Sequence, residues 1–374
     1  MKEEKVIRVA QVIGMAVNGG VESCIMNYYR HIDKTKVQFD FLVESTSNII
    51  DKDKIEAMGG KVIIIPPYTK IFKYIKELKR IFKERNYDIV HSNMNALSVF
   101  TLFAAWLAKI KVRIAHSHST TNKKEWKKNL IKNILRPFSK VFATDYFACS
   151  ELAGRWLFGN RTFNKGKVTI INNAIEVEKF LFNEEVRNQL RKELNIEDKF
   201  VVGHVGRFVE QKNHTFLIDI FYEVQKERPN SILLLVGDGP LYNEIYQKVE
   251  RLGILDKVIF AGVYNDVSRF YNAMDMFVFP SLYEGLGMVL VEAQINGLPC
   301  LISDKVPKNV KFNSNVEVLE IKDDVKNYLN ILLRHYRTEN INENLKTEYN
   351  INYQSFKLAR KYLKEGGVVW KKLA

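Results

Sequence analysis

The sequence predicts an α/β protein of two doubly wound domains, each a parallel β-sheet with helices on both faces. Its 374 residues exceed the length at which a single hydrophobic core usually stops growing, which favours two domains. Short, nearly continuous apolar runs alternate with helical patterns, as the buried strands of parallel sheets do. The alternation weakens once, at residues 172–198, so the strands fall into two series.

The individual elements follow from this alternation. The first series contains predicted strands at 6–13, 37–43, 61–65, 87–91, 112–116, 145–149 and 168–171. The second contains predicted strands at 200–205, 232–236, 258–261, 276–279 and 299–303, with helices at 183–194, 213–227, 241–252 and 288–296. The polar segment 309–325 is assigned no strand. We place one domain at 1–175, joined by a tail helix at 352–374, and the other at 176–351.

Composition and targeting signals limit the class of protein. The chain is 46% hydrophobic and 27% charged, which is typical of a folded globular protein. Cys24, Cys149 and Cys300 are far apart and lack metal-ligand spacing, which argues against disulfides and zinc and favours a reducing compartment. The first residues lack a signal-peptide pattern, and the most apolar stretch, 97–108, is short for a membrane span. We therefore expect a cytoplasmic protein, soluble or peripheral.

The positive charge is concentrated in the first half of the chain. The whole net charge of +14 lies in residues 1–180, and the remainder is balanced. Tracts 68–86 and 123–140 place apolar residues at helical spacing among lysines, as do basic amphipathic helices on an anionic lipid surface. Alternatively, each apolar face packs on the domain core and the lysines are solvated. Nucleic acid is not a predicted partner, because no nucleic-acid-binding motif is present.

Functional residues in doubly wound domains are expected just after strands, where ligands bind. The strongest candidate motif is 281–293, which follows a strand and opens a helix. Gly285 and Gly287 let backbone amides approach an anion such as a diphosphate. Glu284 in the loop and Glu292 in the helix can accept hydrogen bonds from hydroxyl groups. The alternative is a glycine-rich turn with a surface glutamate.

A second basic motif, 203–214, also follows a strand of the second domain. Arg207 offers a planar fork of donors and Lys212 a point charge, and both suit a diphosphate. A basic loop without function is the alternative. Two such motifs in one domain make coincidence a weaker explanation.

The first domain contributes weaker signals. Gly19-Gly20 follows the first strand and permits close approach of a ligand. His116 and His118 lie at a strand end, where an imidazole can donate to a ligand oxygen, although such histidines are often structural. We expect the two rings to point to opposite faces, so that only one serves the site.

Two further patterns are interpreted as structural. Asp51-Lys52-Asp53 has the DxD form of a metal–diphosphate site but lies in a polar loop without a flanking strand, so we interpret it as solvated charge. Gly237-Asp238-Gly239-Pro240 lacks the third glycine of a dinucleotide-binding fingerprint.

Taken together, these motifs resemble the retaining glycosyltransferases of family 4, and among them the bacterial exopolysaccharide and capsule branch. The pair Glu284 and Glu292, with seven residues between them, is the most specific feature. The resemblance spans most of the chain, through segments 19–22, 116–118, 149–159, 171–175, 205–214, 233–241 and 279–304.

The resemblance implies the GT-B fold, in which two Rossmann-like domains face each other across an interdomain cleft. It implies an acceptor-side first domain and a nucleotide-sugar-binding second domain. The implied activity is retaining and independent of metal or cofactor. It moves a sugar from a nucleotide-diphosphate sugar, with uridine as the nucleoside, to a glycan or lipid-linked acceptor in cell-surface polysaccharide synthesis. The enzyme would work on the inner face of the cell membrane.

The resemblance also implies roles for the candidate residues. His118 and Glu284 are the implied catalytic residues, and His118 is preferred to His116 because it precedes the hydroxyl pair Ser119-Thr120. Glu292 would hold the donor ribose. The other implied donor-binding residues are Gly20, Arg207, Lys212, Gly285, Leu286, Gly287 and Met288.

Two other functions remain open. The first is a GT-B-fold nucleotide-sugar epimerase. The basic tracts and the pair Arg207 and Lys212 favour transfer to a membrane-borne acceptor over this function. The second is an inactive sugar- or lipid-binding subunit, against which the complete set of candidate residues argues.

Overall fold

The chain consists of two compact units. The computed structural model describes residues 5–15, 20–45, 47, 51–118, 132–307, 310–321 and 337–367. The first unit comprises Met1–Ile175 and Glu348–Ala374, and the second Glu176–Thr347. Each contains a parallel sheet flanked by helices, which confirms the predicted class of two Rossmann-like, doubly wound domains. No helix in the described ranges combines the length and apolarity that crossing a bilayer would require.

The first unit contains a seven-stranded parallel sheet in the order β3-β2-β1-β4-β5-β6-β7. The order reverses between β1 and β4, so the loops after these two strands border the crevice in which doubly wound domains bind ligands. The strands are β1 (Ile7–Gly14), β2 (Val37–Glu44), β3 (Lys61–Ile65), β4 (Ile89–Ser92), β5 (Val112–Ser117), β6 (Asp145–Ala148) and β7 (Val168–Ile170). The helices are α1 (Gly20–His31), α2 (Lys52–Ala57), α3 (Ile71–Arg85), α4 (Ser98–Leu107), α5 (Glu151–Phe158) and α6 (Asn160–Asn164).

Helix α3 shows how one of the basic tracts is used. Leu78 and Phe82 of its apolar stripe are fully buried, together with Tyr74. The apolar face therefore packs on the core of the unit while the lysines face solvent. Of the two predictions for this tract, the structure agrees with packing on the core and not with a lipid-binding face. Half of the second tract, residues 123–131, lies outside the described residues.

The chain returns to the first unit near its end and completes it. Ile175 donates from its amide to the Tyr349 carbonyl (2.8 Å), and Ile351 donates to the Ile175 carbonyl (2.9 Å). The first unit resumes at Glu348, four residues before the start of the predicted tail helix. It resumes early because the residues that pair with Ile175 come just before the helix and at its start. The elements here are α13 (Glu343–Tyr349) and α14 (Ile351–Glu365).

The second unit contains a six-stranded parallel sheet in the order β10-β9-β8-β11-β12-β13, which reverses between β8 and β11. Its strands are β8 (Phe200–Val205), β9 (Ser231–Val236), β10 (Val258–Gly262), β11 (Met276–Phe279), β12 (Cys300–Ser303) and β13 (Val316–Leu319). Its helices are α7 (Val177–Phe180), α8 (Glu184–Glu193), α9 (His214–Glu227), α10 (Tyr242–Arg251), α11 (Ser268–Ala273) and α12 (Met288–Ile295).

Strand β13 lies in the polar, loosely patterned segment 309–325 and was not among the strands predicted from the sequence. It is a four-residue strand at the end of the strand order, and among the described strands it pairs with β12 alone. Glu317 and Val318 are partly exposed while Val316 is buried. A strand this short, with a charged residue inside it, carries too little apolar pattern to be predicted.

Candidate active site

The loops after β8 and β11 meet at the point where the strand order of the second unit reverses. Leu282 donates from its amide to the Gln211 carbonyl (2.8 Å), and Gln211 Nε2 donates to the Tyr283 carbonyl (3.0 Å). Asn213 Nδ2 donates to the Pro280 carbonyl (3.2 Å). The two motifs predicted from the sequence are thus joined directly, at the position where the fold forms a ligand crevice.

Lys212 and Glu284 form an ion pair across these loops. Lys212 Nζ lies 2.7 Å from Glu284 Oε1 and 4.6 Å from the centre of the Phe279 ring. The two side chains are only 15% and 6% exposed. An ammonium group has three donors, and a carboxylate has several acceptor positions. Both partners can therefore still bind a ligand while they remain paired.

Gly287 directly precedes helix α12 and must be a glycine. Its φ is +74°, and a Cβ there would lie 3.1 Å from the Phe279 ring. Gly285 is exposed, and a Cβ there would meet no described atom within 4 Å. The Leu290 amide donates to the Gly287 carbonyl (2.8 Å), whereas the amides of Met288 and Val289 precede the first bond of this helix end. Amides at this position of a helix suit an anion.

Glu292 lies in α12, and its partner comes from α11. The Tyr271 hydroxyl donates to Glu292 Oε2 (2.7 Å), which leaves Oε1 for another donor. Burial raises the pKa of Glu292 to about 7, although the bond from Tyr271 and the charge of Lys212 act to lower it. Glu292 is thus a carboxylate with an accepting oxygen in the same neighbourhood as Lys212.

Arg207 is exposed at the end of β8 and has no ion-pair partner among the residues that the structure describes. Its loop is held by backbone contact with 237–241. The Phe208 amide donates to the Asp238 carbonyl (2.9 Å), and a Cβ at Gly239 would lie 2.5 Å from the Phe208 carbonyl oxygen. The glycines of the 237–240 motif therefore have a packing role.

The raised pKa of Glu292 predicts a pH dependence of stability. The unfolded carboxyl group ionises near its ordinary pKa, whereas the folded group keeps its proton up to about pH 7. Stability is therefore lost as pH rises from about 4.5 through 7. We expect Glu292→Gln to remove about 2 kcal/mol of this loss. Urea unfolding of both proteins at pH 5 and pH 8 measures this loss. If the free energy of unfolding fell by the same amount between pH 5 and pH 8 in both proteins, the assignment would be contradicted.

In the first unit, four contacts hold His118. Its amide donates to Asn95 Oδ1 (2.7 Å), its Nε2 lies 2.9 Å from Asn93 Oδ1, and the Cys149 thiol donates to its carbonyl (3.4 Å). Its ring packs on that of His116, with centroids 3.9 Å apart. Burial lowers the pKa of His118 to about 4, so the imidazole is neutral at physiological pH.

The two histidines share one face of the chain, so the expectation of opposite faces is wrong. Residues two apart on a strand point the same way. His116 is 4% exposed, and its Nδ1 lies 3.0 Å from His91 Nε2. His91 Nδ1 in turn lies 2.6 Å from the Tyr362 hydroxyl of α14. His118 is the more exposed of the pair, which favours it as the ligand-facing histidine.

The remaining sequence candidates lie elsewhere in the first unit. Gly20 is exposed at the start of α1, where a Cβ would meet no described atom within 4 Å, while Gly19 lies outside the described residues. Asp51 caps helix α2 by accepting from the Lys54 amide (3.4 Å) and pairs with the Lys54 side chain. Within the described ranges, no three His, Cys, Asp or Glu side chains are grouped as metal ligands.

Among the residues that contact the candidates, Asn93 and Tyr271 were not predicted from the sequence. Asn93 directly follows β4, and the rule that sites lie after strands could have identified it. Tyr271 lies inside a helix and follows no strand, so only the structure connects it to Glu292.

A comparison with solved structures defines the class of protein. The chain superposes on the crystal structure of Anabaena Alr3699/HepE, determined in complex with UDP and glucose, with a TM-score of 0.76. The match covers 95% of this chain and 99% of that one at 18% identity. The fold is therefore that of the GT-B glycosyltransferases.

Sequence comparisons define the family. Residues 18–179 match the family model described as Glycosyltransferase Family 4, and residues 186–347 match the one described as Glycosyl transferases group 1. The "Putative glycosyltransferase EpsF" of Bacillus subtilis is 36% identical over 81% of this chain and 80% of its own length. The chain belongs to the glycosyltransferase family and is an enzyme of that class.

A second relative has a more specific name. The Escherichia coli UDP-Gal:alpha-D-GlcNAc-diphosphoundecaprenol alpha-1,3-galactosyltransferase is 24% identical over 88% of this chain and 87% of its own length.

Proposed function

We propose that the chain is a retaining, metal-independent glycosyltransferase that moves a sugar from a UDP-sugar to a lipid-linked glycan acceptor in cell-surface polysaccharide synthesis. The observation that carries the proposal is the joined pair of loops in the second unit, where Lys212 and Glu284 meet beside the start of α12. A cation, free amides and carboxylates at one point suit a diphosphate together with its sugar. The names of the Anabaena and Escherichia coli proteins support uridine as the nucleoside and a lipid diphosphate as the acceptor carrier.

Each residue has a proposed task in the transfer. Lys212, Arg207 and the amides from Gly285 to Met288 bind the diphosphate and stabilise the charge that develops as it leaves. Glu292 accepts from the ribose hydroxyls through Oε1, and Glu284 accepts from hydroxyls of the sugar. Leu286, half-buried between the two glycines, fixes the loop. His118 contacts the sugar, and Gly20 leaves room for the substrate at the start of α1.

Retention requires the new bond to form on the face from which the diphosphate departs. The bond between the anomeric carbon and the phosphate oxygen breaks, and the acceptor oxygen bonds to that carbon on the same face. The acceptor hydroxyl gives its proton to the departing phosphate oxygen. The charge of Lys212 and Arg207 balances the diphosphate during this step, a task that other transferases give to a metal ion.

The decisive experiment is a transfer assay with a panel of UDP-sugars and an undecaprenyl-diphosphate-linked monosaccharide, with the product anomer read by NMR. We expect one UDP-sugar to be consumed, an α-linked product from an α-linked donor, and full activity in EDTA. An inverted anomer or loss of activity in EDTA would contradict the corresponding part of the proposal. A free epimerised UDP-sugar would indicate an epimerase, and binding without turnover would indicate a binding subunit.

We also propose that the first unit docks on an anionic membrane, where a lipid-linked acceptor would be found. Trp106, Phe138 and Val141 are each more than half exposed, and the Trp106 ring packs on Phe142 (5.8 Å between centroids). We call these exposed side chains the Trp106 face. The cationic residues Lys109, Lys111, Arg136 and Lys140 lie within five positions of them in the sequence. Exposed apolar side chains with cations nearby suit a bilayer containing anionic lipid.

Vesicle co-sedimentation tests the Trp106 face. The double variant Trp106→Ser/Val141→Ser should bind vesicles with 30% phosphatidylglycerol several-fold more weakly than the unmodified protein, because apolar area is lost. Phe72→Ser is the matched control, since Phe72 is exposed on α3 and is not one of the residues that define the Trp106 face. Equal binding by all three proteins would contradict the proposal.

A further inference from the structure

Asn93 is buried at the end of β4 and connects His118 to the interior of the first unit. Its side chain is 3% exposed, and its Oδ1 lies 2.9 Å from His118 Nε2. Its Nδ2 donates to Gln11 Oε1 (3.0 Å), and Gln11 Nε2 donates to the Tyr362 hydroxyl (3.0 Å). Gln11 and Tyr362 are also buried, so the chain of hydrogen bonds has few alternative partners.

The orientation of the Asn93 side-chain amide follows from the neighbouring His91 backbone carbonyl, which can only accept a hydrogen bond. The His91 backbone carbonyl lies 3.5 Å from Asn93 Nδ2, and reversing the amide would place two oxygens against each other. Asn93 therefore presents its oxygen to His118. A carbonyl oxygen accepts and cannot donate, so His118 Nε2 must carry the proton.

A neutral imidazole has one N–H and one accepting nitrogen. With the proton on Nε2, Nδ1 of His118 carries the lone pair, and Nδ1 makes no hydrogen bond to the described residues. The low pKa of about 4 keeps the ring in this neutral form at physiological pH. The bonds from Asn95 and Cys149 to the backbone of His118 and the stacked ring of His116 fix its orientation.

We propose that Asn93 is a positioning residue that holds His118 as its Nε2–H tautomer, so that Nδ1 accepts a hydrogen bond from a hydroxyl of the sugar substrate. The sugar contact rests on the proposed function, whereas the tautomer does not. The imidazole was expected from the sequence to donate to a ligand oxygen, and this arrangement assigns the opposite polarity. In it the protonated nitrogen, Nε2, is bonded to Asn93 and the nitrogen left for the substrate accepts.

The tautomer can be measured directly. In the full-length protein labelled with ¹⁵N-histidine, long-range ¹H–¹⁵N correlation at pH 7.5 should show His118 with a protonated Nε2 and a pyridine-like Nδ1. The signal is assigned by its loss in His118→Gln. His204 is an internal reference for the opposite tautomer, because its Nδ1 lies 2.8 Å from the Val278 carbonyl oxygen and must donate. A protonated Nδ1 in His118 would overturn the proposal.

Variants of Asn93 test the cause. Asn93→Leu is close in size but has no acceptor, so we expect a mixture of His118 tautomers and a kcat about tenfold lower, with KM for the acceptor little changed. Asn93→Asp keeps an acceptor and should restore the Nε2–H signal. An unchanged tautomer in Asn93→Leu would overturn the role of Asn93. If the tautomer is as expected but no UDP-sugar is turned over, the proposed function fails and this assignment stands.

Discussion

Glu284→Gln is expected to lower kcat/KM for sugar transfer by about a hundredfold or more while UDP binding changes only a few-fold. Glutamine preserves the shape of the side chain but removes the charge that Lys212 pairs with at 2.7 Å. Glutamine also has a donor in place of one accepting oxygen, so a sugar hydroxyl loses its partner. The loss is large because the Glu284 side chain is only 6% exposed. Steady-state kinetics and calorimetry with UDP measure the two effects.

The matched control for this change is Glu244→Gln. Glu244 is exposed in the first turn of α10, in the same unit and outside the joined loops. Its replacement should leave both kinetics and UDP affinity unchanged. Full activity of Glu284→Gln would remove Glu284 from the catalytic assignment, and loss of UDP binding would show that the variant disturbs the loop.

Lys212→Met is expected to reduce both activity and stability. Loss of the charge beside the diphosphate should lower kcat by about 10²–10³. The Glu284 carboxylate would be left buried without its partner, so we expect the free energy of unfolding to fall by about 3 kcal/mol. Urea unfolding and the transfer assay measure the two quantities.

A double variant separates the two effects of Lys212→Met. Lys212→Met/Glu284→Gln removes both charges, so most of the stability should return while activity stays low. Lys248→Met is the control, because Lys248 pairs with the partly exposed Asp219 and should cost less than about 1 kcal/mol. A double variant that transfers sugar normally would show that the pair is structural.

The second unit was largely predictable because its candidate residues follow strands with strong apolar patterns. Strands 200–205 and 276–279 have the predicted bounds, and the loops after them are the ones that join. The sequence placed Arg207, Lys212, Glu284 and Glu292 near these strand ends. The structure pairs Lys212 with Glu284 and brings Glu292 within reach of the Lys212 charge. Periodicity and the position of glycines are local properties, and they carry this information.

The first unit was less predictable because its contacts are distant in sequence. Asn93 and His118 are 25 positions apart, and Gln11 and Tyr362 are 351 apart. No local pattern indicates that such residues meet. The prediction that His116 and His118 point to opposite faces failed for a simpler reason. Residues two apart on a strand share a face, and it is neighbours one apart that point to opposite faces.

The discontinuous first unit has a consequence for the order of events during synthesis. Residues 176–347 are contiguous, so the ribosome delivers everything that the second sheet needs before it delivers α14. The network behind His118 ends at Tyr362, within α14. A nascent chain can therefore assemble its second unit while the first unit still lacks its last helix. The seven strands of the first unit must then wait, partly uncovered, for residues 351–365.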